Sequence, residues 1–141
     1  MTGPIHLLIV EDNEADAYLT KETLEADRLL FDIAIVRDGV EACDYLFRRP
    51  PFENAKRPEL ILLDLNLPRL DGAAVLAEMQ RDPDLRTIPV VILTSSDAES
   101  DIVRSYELGA NCYVTKPVGL DAFQSIVKSV ESFWFTVVRL P

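Results

Sequence analysis

Residues 59–68 read ELILLDLNLP, in which four apolar residues are followed at once by the carboxylate of Asp64. An apolar run this short, without alternating polar residues, is typical of a strand buried on both faces of a parallel sheet that helices cover. Asp64 then lies at the carboxyl end of its strand, where ligands bind in open α/β sheets. Asp, Asn and Pro are also ordinary turn residues, so this segment alone leaves open whether Asp64 is functional or only starts a turn.

The rest of the chain repeats a strand followed by a helix. Four further short apolar segments predict strands at residues 6–10, 31–36, 88–93 and 112–115, and each of the five strands is followed by a helical pattern. The connections are long enough for right-handed parallel units. We therefore predict one doubly wound α/β domain of five parallel strands over residues 1–141. The flavodoxin-like three-layer sandwich, with the strand order 2-1-3-4-5, is the arrangement of such a domain that we adopt as a working hypothesis.

Two segments depart from this rhythm. Residues 48–58 (RRPPFENAKRP) contain three prolines and mixed charges, which predicts an inserted loop before the central strand. Residues 133–141 (FWFTVVRLP) form an apolar C-terminal extension. Such a segment is too apolar to lie in water, so it covers either the core of its own domain or a second subunit.

The charge balance excludes several classes of partner. The chain has 24 Asp and Glu residues against 14 Lys and Arg, which gives a net charge of -10. This charge would repel a nucleic-acid backbone and an anionic lipid surface, so we expect neither as a partner. The N-terminal residues show no basic region before a long apolar run, and no later apolar run is long enough to span a bilayer. We expect a cytoplasmic protein.

Polar side chains follow four of the predicted strands: Glu11 and Asp12 after the first, Asp64 after the third, Thr94 after the fourth and Lys116 after the fifth. In the order 2-1-3-4-5, the first and third strands are neighbours, so Asp12 and Asp64 would face each other across a crevice. Carboxylates this close repel each other unless one is protonated or a cation lies between them. Oxygen ligands, and waters that a phosphate can displace, favour Mg²⁺ as that cation.

A carboxylate can act as a nucleophile and form an aspartyl phosphate. Phosphoryl transfer needs positioning and charge neutralisation more than acid-base chemistry. Asp64 is the candidate acceptor, Lys116 and the metal would compensate the charge of the phosphoryl oxygens, and the Thr94 hydroxyl could donate a hydrogen bond to one of them. Each residue has a plainer interpretation by itself, since Asp12 or Asn13 can cap a helix. Their joint occurrence at strand ends favours a phosphoryl-transfer site.

This set of residues resembles the receiver domain of two-component response regulators. The resemblance rests on Glu11-Asp12, Asp64 within LLDLNLP, Thr94-Ser95 and Lys116-Pro117, and it covers essentially the whole chain. It implies that Asp64 accepts phosphate from a phosphohistidine on a sensor histidine kinase. It also implies that Asp12 and Asp64 bind Mg²⁺ directly, that Glu11 binds it mainly through water, and that the backbone carbonyl of Asn66 supplies a further ligand.

The same resemblance implies conformational roles. Thr94 would move to contact the phosphoryl group, and Tyr113, which could equally be a core residue, would turn inward as an aromatic switch. Asn66 and Ser96 occupy positions at which receivers tune the access of water, and with it the lifetime of the phosphorylated state. The peptide bond before Pro117 is expected to be cis, which proline permits at little cost.

Residues 48–58 and 133–141 further resemble the single-domain regulators that serve cyanobacterial and bacterial phytochrome kinases. That resemblance implies a homodimer formed through helix four, strand five, helix five and the C-terminal extension. With no output domain, the signal would leave by contact with a downstream protein. We therefore expect a phosphorylation switch that promotes its own phosphorylation and dephosphorylation, and is otherwise not an enzyme.

Two alternative functions remain. A magnesium-dependent phosphatase with an Asp nucleophile would need a second Asp two residues further on, where this chain has Asn66. A degenerate receiver that serves only as a docking module is disfavoured by the complete acidic pair, Asp64 and Lys116. Turnover of a phosphomonoester would favour the phosphatase, and failure to bind Mg²⁺ would favour the docking module.

Overall fold

The computed structural model describes residues 4–25 and 31–116 of the chain. Its five strands are β1 (Ile5–Val10), β2 (Phe31–Val36), β3 (Leu60–Leu63), β4 (Val90–Thr94) and β5 (Cys112–Thr115). They form one sheet with the order β2-β1-β3-β4-β5, and every neighbouring pair is parallel. The predicted strand order 2-1-3-4-5 is therefore confirmed.

Four α-helices connect the strands within the described residues: α1 (Glu14–Glu25), α2 (Gly39–Leu46), α3 (Gly72–Gln80) and α4 (Glu99–Glu107). A single 3₁₀ turn (Leu85–Thr87) precedes β4. The predicted fifth helix, the C-terminal extension at 133–141 and the peptide bond before Pro117 lie outside the described residues.

The central strand β3 is buried on both faces, as its uninterrupted apolar sequence predicts. Successive side chains of a strand point to opposite faces of the sheet. Ile61 and Leu63 accordingly belong to a buried cluster with residues of α2 and α3, whereas Leu60 and Leu62 belong to a second cluster that includes Leu24 of α1. Helices thus cover both faces of the sheet. Because both faces of the sheet are covered, a polar side chain that follows β3 lies at the carboxyl edge of the sheet.

Residues 47–59 contain turns but no helix or strand. Arg57 anchors this segment to the start of the 3₁₀ turn, because its guanidinium group donates to Asp84 Oδ2 at 3.0 Å and to Thr87 Oγ1 at 2.8 Å. The rings of Tyr45 and Phe52 also pack together, with 5.3 Å between their centroids. The loop is thereby held against the amino ends of β3 and β4.

The loop between β3 and α3 is positioned by two close backbone approaches. A Cβ atom on Gly39 would overlap the backbone carbonyl of Leu70, and one on Gly72 would overlap the carbonyl of Asp64. Asp38 caps α2 by accepting from the Glu41 N–H at 2.7 Å, and its other carboxylate oxygen accepts from Arg69 at 3.2 Å. The loop that follows Asp64 is therefore fixed against the N-terminus of α2.

Candidate functional site

The polar residues predicted to converge do lie together at the carboxyl ends of the strands. Asp64 is buried, and its N–H donates to the carbonyl of Val10 at the end of β1. Thr94, at the end of β4, donates its hydroxyl proton to Asp64 Oδ1 at 2.7 Å. Lys116, which follows β5, places its Nζ 2.9 Å from Asp64 Oδ2. The Asp64 carboxylate thus accepts hydrogen bonds from side chains at the ends of two other strands.

Three carboxylates are close enough to share a cation. Glu11, Asp12 and Asp64 each offer an oxygen, and these three oxygens lie within 4.8 Å of one another. Asp12 is exposed and has no hydrogen bond or ion pair among the described residues. The residue that caps α1 is Asn13, whose side chain accepts from the Asp16 N–H. The interpretation of Asp12 as a helix cap is therefore wrong. Its carboxylate remains available to a ligand.

The donor set fits a hard divalent cation. All three side chains offer carboxylate oxygens, which hard cations such as Mg²⁺, Ca²⁺ and Mn²⁺ prefer. Asp12 and Asn66 also line a groove of about 460 Å³ that opens beside the cluster. The backbone N–H of Asn66 donates to Asp64 Oδ1 at 3.0 Å, so this loop is already attached to the central carboxylate. The acidic cluster is consistent with a divalent metal site.

Lys116 is the cationic group that contacts this cluster. Its Nζ lies 2.6 Å from Glu11 Oε1, 2.9 Å from Asp64 Oδ2 and 2.9 Å from Asp16 Oδ2. Burial acts to lower the pKa of Lys116, but the hydrogen bonds to these carboxylates outweigh it and raise that pKa well above its usual value. Lys116 therefore stays charged throughout the physiological pH range.

Glu11 has a perturbed pKa for the opposite reason. Its side chain is almost fully buried, and burial raises its pKa to about 7, although the hydrogen bonds from Lys116 and from the Asn13 N–H each act to lower it. A buried carboxylate with an incompletely compensated charge is a common feature of functional sites. A cation bound here would favour the ionised form of Glu11.

Asp16 is the residue of this site that the sequence did not reveal. It lies in the first turn of α1, where acidic residues are common because they stabilise the positive end of the helix dipole. That general preference hides any specific role. Only the position of Lys116, 100 residues further along the chain, shows that Asp16 reaches the site.

Tyr113 and Ser96 connect the site to α4. The hydroxyl of Tyr113 donates to the backbone carbonyl of Ser96 at 2.7 Å, and the hydroxyl of Ser96 donates to Asp101 Oδ2 at 2.6 Å. Burial raises the pKa of the Tyr113 hydroxyl, while its bond to Ser96 acts in the opposite direction. Tyr113 is partly buried against the core cluster that contains α2 and α3. The loop after β4 is thus held on one side by Tyr113 and on the other by α4.

A doubly wound α/β domain with a cluster of carboxylates at the carboxyl edge of its sheet is typical of phosphoacceptor proteins. Residues 7–128 match the model of the response regulator receiver domain, and the chain belongs to that family. Receiver domains interact with histidine kinases. The expectation drawn from the strand-end residues is therefore confirmed at the level of the family.

Several relatives resemble this chain over nearly its full length. Response regulator Rcp1 of Synechocystis sp. is 47% identical over 138 residues, which cover 98% of this chain and 94% of Rcp1. The crystal structure of the Mn²⁺-bound form of Rcp1 has a TM-score of 0.90 and covers 98% of this chain and 99% of that one. The crystal structure of the phosphorylated cyanobacterial phytochrome response regulator RcpA is 47% identical with a TM-score of 0.91, and covers 99% of both chains.

These relatives establish homology to phytochrome response regulators and support a phosphoacceptor role in two-component signalling. The predicted resemblance to that group of regulators is confirmed. Within residues 4–25 and 31–116, no helix combines the length and the hydrophobicity needed to cross a bilayer.

Proposed function

We propose that Asp64 is the phosphoacceptor of a response regulator that receives its signal from a phytochrome-linked histidine kinase in the cytoplasm. The proposal rests on the groups that surround the Asp64 carboxylate. It is buried beside two further acids, and its two oxygens accept hydrogen bonds from Thr94 and Lys116. Homology to phytochrome response regulators supports the choice of kinase.

In the proposed reaction, a carboxylate oxygen of Asp64 attacks the phosphorus of a phosphohistidine. The P–N bond breaks, a P–O bond forms, and the imidazole of the kinase leaves with the electron pair. Lys116 keeps its ammonium group beside the acceptor and compensates the charge of the phosphoryl oxygens. The Thr94 hydroxyl, which now donates to Asp64, transfers its hydrogen bond to a phosphoryl oxygen.

We propose Mg²⁺ as the metal, held by Glu11, Asp12, Asp64 and the backbone carbonyl of Asn66. When bound, Mg²⁺ neutralises the negative charge that gathers on the phosphoryl oxygens. The close packing of three carboxylate oxygens supports this assignment, because their mutual repulsion is relieved by a divalent cation.

The same site promotes hydrolysis of its own phosphate. Asn66 is exposed at the mouth of the groove, where its side chain controls the approach of water. Ser96 is held by Asp101 and by Tyr113, so its position depends on α4 and β5. Together these residues set the lifetime of the phosphorylated state.

The signal leaves through a surface formed by α4, β5 and the elements that follow. When Thr94 moves to the phosphoryl group, Tyr113 exchanges its bond to Ser96 for an inward position and so alters this surface. Val103 and Tyr106 of α4 are about half exposed, at 50% and 49%, which suits contact with a second subunit in a homodimer or with a downstream protein. The remainder of that interface lies outside the described residues.

Intact mass after incubation with acetyl phosphate tests the acceptor. The wild-type protein should gain one phosphoryl group in the presence of Mg²⁺ and none in EDTA, and Asp64→Asn should gain none in either. Asp84→Asn, a change of the same kind at the opposite end of the sheet, is the matched control and should behave as wild type. A phosphoryl group on Asp64→Asn would refute the assignment.

Transfer from a kinase tests the partner. A purified phytochrome histidine kinase should phosphorylate the protein faster than a histidine kinase with an unrelated sensor domain, at equal concentrations of phosphorylated donor. Equal rates would remove the phytochrome assignment but leave Asp64 as the acceptor.

A further inference from the structure

Lys116 has a third carboxylate partner that lies outside the proposed metal ligands. Its Nζ is 2.9 Å from Asp16 Oδ2. The backbone of Asp16 is itself well held, because its N–H donates to Asn13 Oδ1 at 2.9 Å and its carbonyl accepts from the Thr20 hydroxyl at 2.9 Å. The Asp16 carboxylate therefore extends towards the site from a fixed point on α1.

The helix dipole explains the presence of an acidic residue here, but it does not explain the direction of its side chain. Glu14 lies in the same first turn and serves the dipole equally well. Its carboxylate is mostly exposed, and its one ion pair within residues 4–25 and 31–116 is with Arg37, at 3.7 Å. Asp16 instead contacts a lysine that is only 15% exposed. This contact joins α1 to the phosphoryl-transfer site.

The three N–H groups of Lys116 are shared among three carboxylates, those of Glu11, Asp16 and Asp64. Glu11 and Asp64 belong to the trio whose oxygens lie within 4.8 Å of one another, and Asp16 does not. A divalent cation that binds the trio therefore competes with the ammonium group for Glu11 and Asp64. Asp16 is the partner that the ammonium group can keep while this happens.

We infer that Asp16 is a positioning residue, which retains Lys116 at the rim of the site when a divalent cation takes over the oxygens of Glu11 and Asp64. This inference rests on the proposed function of the site. With Asp16 in place, the ammonium group releases the oxygens of Glu11 and Asp64 to the cation but stays near the acceptor site, where an N–H becomes free for the incoming phosphoryl oxygen. Without the Asp16 charge, Lys116 pairs more tightly with Glu11 and Asp64 and opposes the cation.

The test is the affinity for Mg²⁺, measured by NMR titration of metal-stripped full-length protein. Asp16→Asn should raise the Mg²⁺ dissociation constant about five-fold, the effect of a modest change in a charge pair. Glu22→Gln is the matched control, because Glu22 is an exposed acid of the same helix and is not among the carboxylates that pair with Lys116 in the described residues. It should change the dissociation constant less than about two-fold.

A double-mutant cycle separates positioning from simple electrostatics. In a Lys116→Met background, Asp16→Asn should have no more effect than Glu22→Gln, because the lysine through which it acts is absent. The inference is overturned if Asp16→Asn matches Glu22→Gln in the wild-type background. It is also overturned if the weakening caused by Asp16→Asn persists undiminished beside Lys116→Met.

The same experiment distinguishes the inference from the function on which it rests. A wild-type protein that binds Mg²⁺ and accepts phosphate, combined with an inert Asp16→Asn change, refutes only the role of Asp16. A wild-type protein that does not bind Mg²⁺ refutes both the proposed metal site and the role of Asp16.

Discussion

The two ends of the parallel sheet differ in how their charged side chains are paired. At the amino ends of β3 and β4, the guanidinium group of Arg57 meets Asp84 and Thr87 near the surface. At the carboxyl ends, the one ammonium group of Lys116 serves three carboxylates, two of which are buried. Arg57 and Asp84 thus form a pair of one cation and one anion, whereas at the carboxyl end three carboxylates share one ammonium group.

This difference indicates which end carries the function. An exposed ion pair contributes little to stability and simply holds a loop in place. Buried like charges are costly, and they persist where a ligand will compensate them. The carboxyl end therefore has the electrostatics that the proposed function requires, since a divalent cation would relieve the repulsion among its carboxylates.

The largest expected effect is that of Lys116→Met. In EDTA, this change should lower the free energy of unfolding by about 3 kcal/mol, because Glu11 and Asp64 stay buried without their cation. Saturating Mg²⁺ should restore part of the loss by supplying a replacement charge. Urea denaturation in the two buffers measures both values. An equal loss in EDTA and in Mg²⁺ would mean that the lysine contributes only through packing.

Gly39→Ala should have the next largest effect, a loss of about 2 kcal/mol, because the new Cβ meets the backbone carbonyl of Leu70. The displaced loop follows Asp64, so the affinity for Mg²⁺ should fall as well. Gly109→Ala is the matched control. Gly109 has a φ of 97° in the turn before β5, so alanine is strained there and should also destabilise the protein. Its Mg²⁺ affinity should stay unchanged, and a matching fall in affinity would show that general destabilisation is the cause.

Thr94→Val should cost about 1 kcal/mol in EDTA, because a fully buried hydroxyl no longer donates to Asp64. Valine keeps nearly the volume of threonine, so the loss reports the hydrogen bond more than the packing. Thr94→Ser keeps the hydroxyl and should retain the response of α4 to beryllofluoride in NMR spectra, whereas Thr94→Val should weaken it. An equal response of α4 in both variants would separate Thr94 from the switch.

Arg57→Met, at the amino end, should have the smallest effect. Its partner Asp84 is 68% exposed, so solvent screens the pair and the loss should be about 0.5 kcal/mol. The affinity for Mg²⁺ should not change. A loss as large as that of Lys116→Met would show that the two ends differ less than their geometry indicates.

The fold follows from local patterns that the sequence displays openly. The apolar run before Asp64 has no polar alternation, and β3 is indeed buried on both faces. Short apolar segments separated by helical lengths allow few topologies, because parallel connections are right-handed and short. The residue types that follow β1, β3, β4 and β5 are equally apparent in the sequence, and together they are enough to identify the family.

Contacts between side chains that lie far apart in the chain cannot be read from the sequence in the same way. Asp12 and Asn13 were equal candidates to cap α1, and only the backbone geometry assigns that role to Asn13. In the sequence, Asp16 is an ordinary acid of a first helical turn, and only the folded chain brings Lys116 beside it. The sequence by itself determined the succession of strands and helices along the chain, because hydrophobic periodicity is a local property. It also determined which polar residues follow each strand, because those residues are its neighbours in the sequence. Only the tertiary structure decided which carboxylates share the ammonium group, because that depends on distances of a few ångströms between segments far apart in the chain.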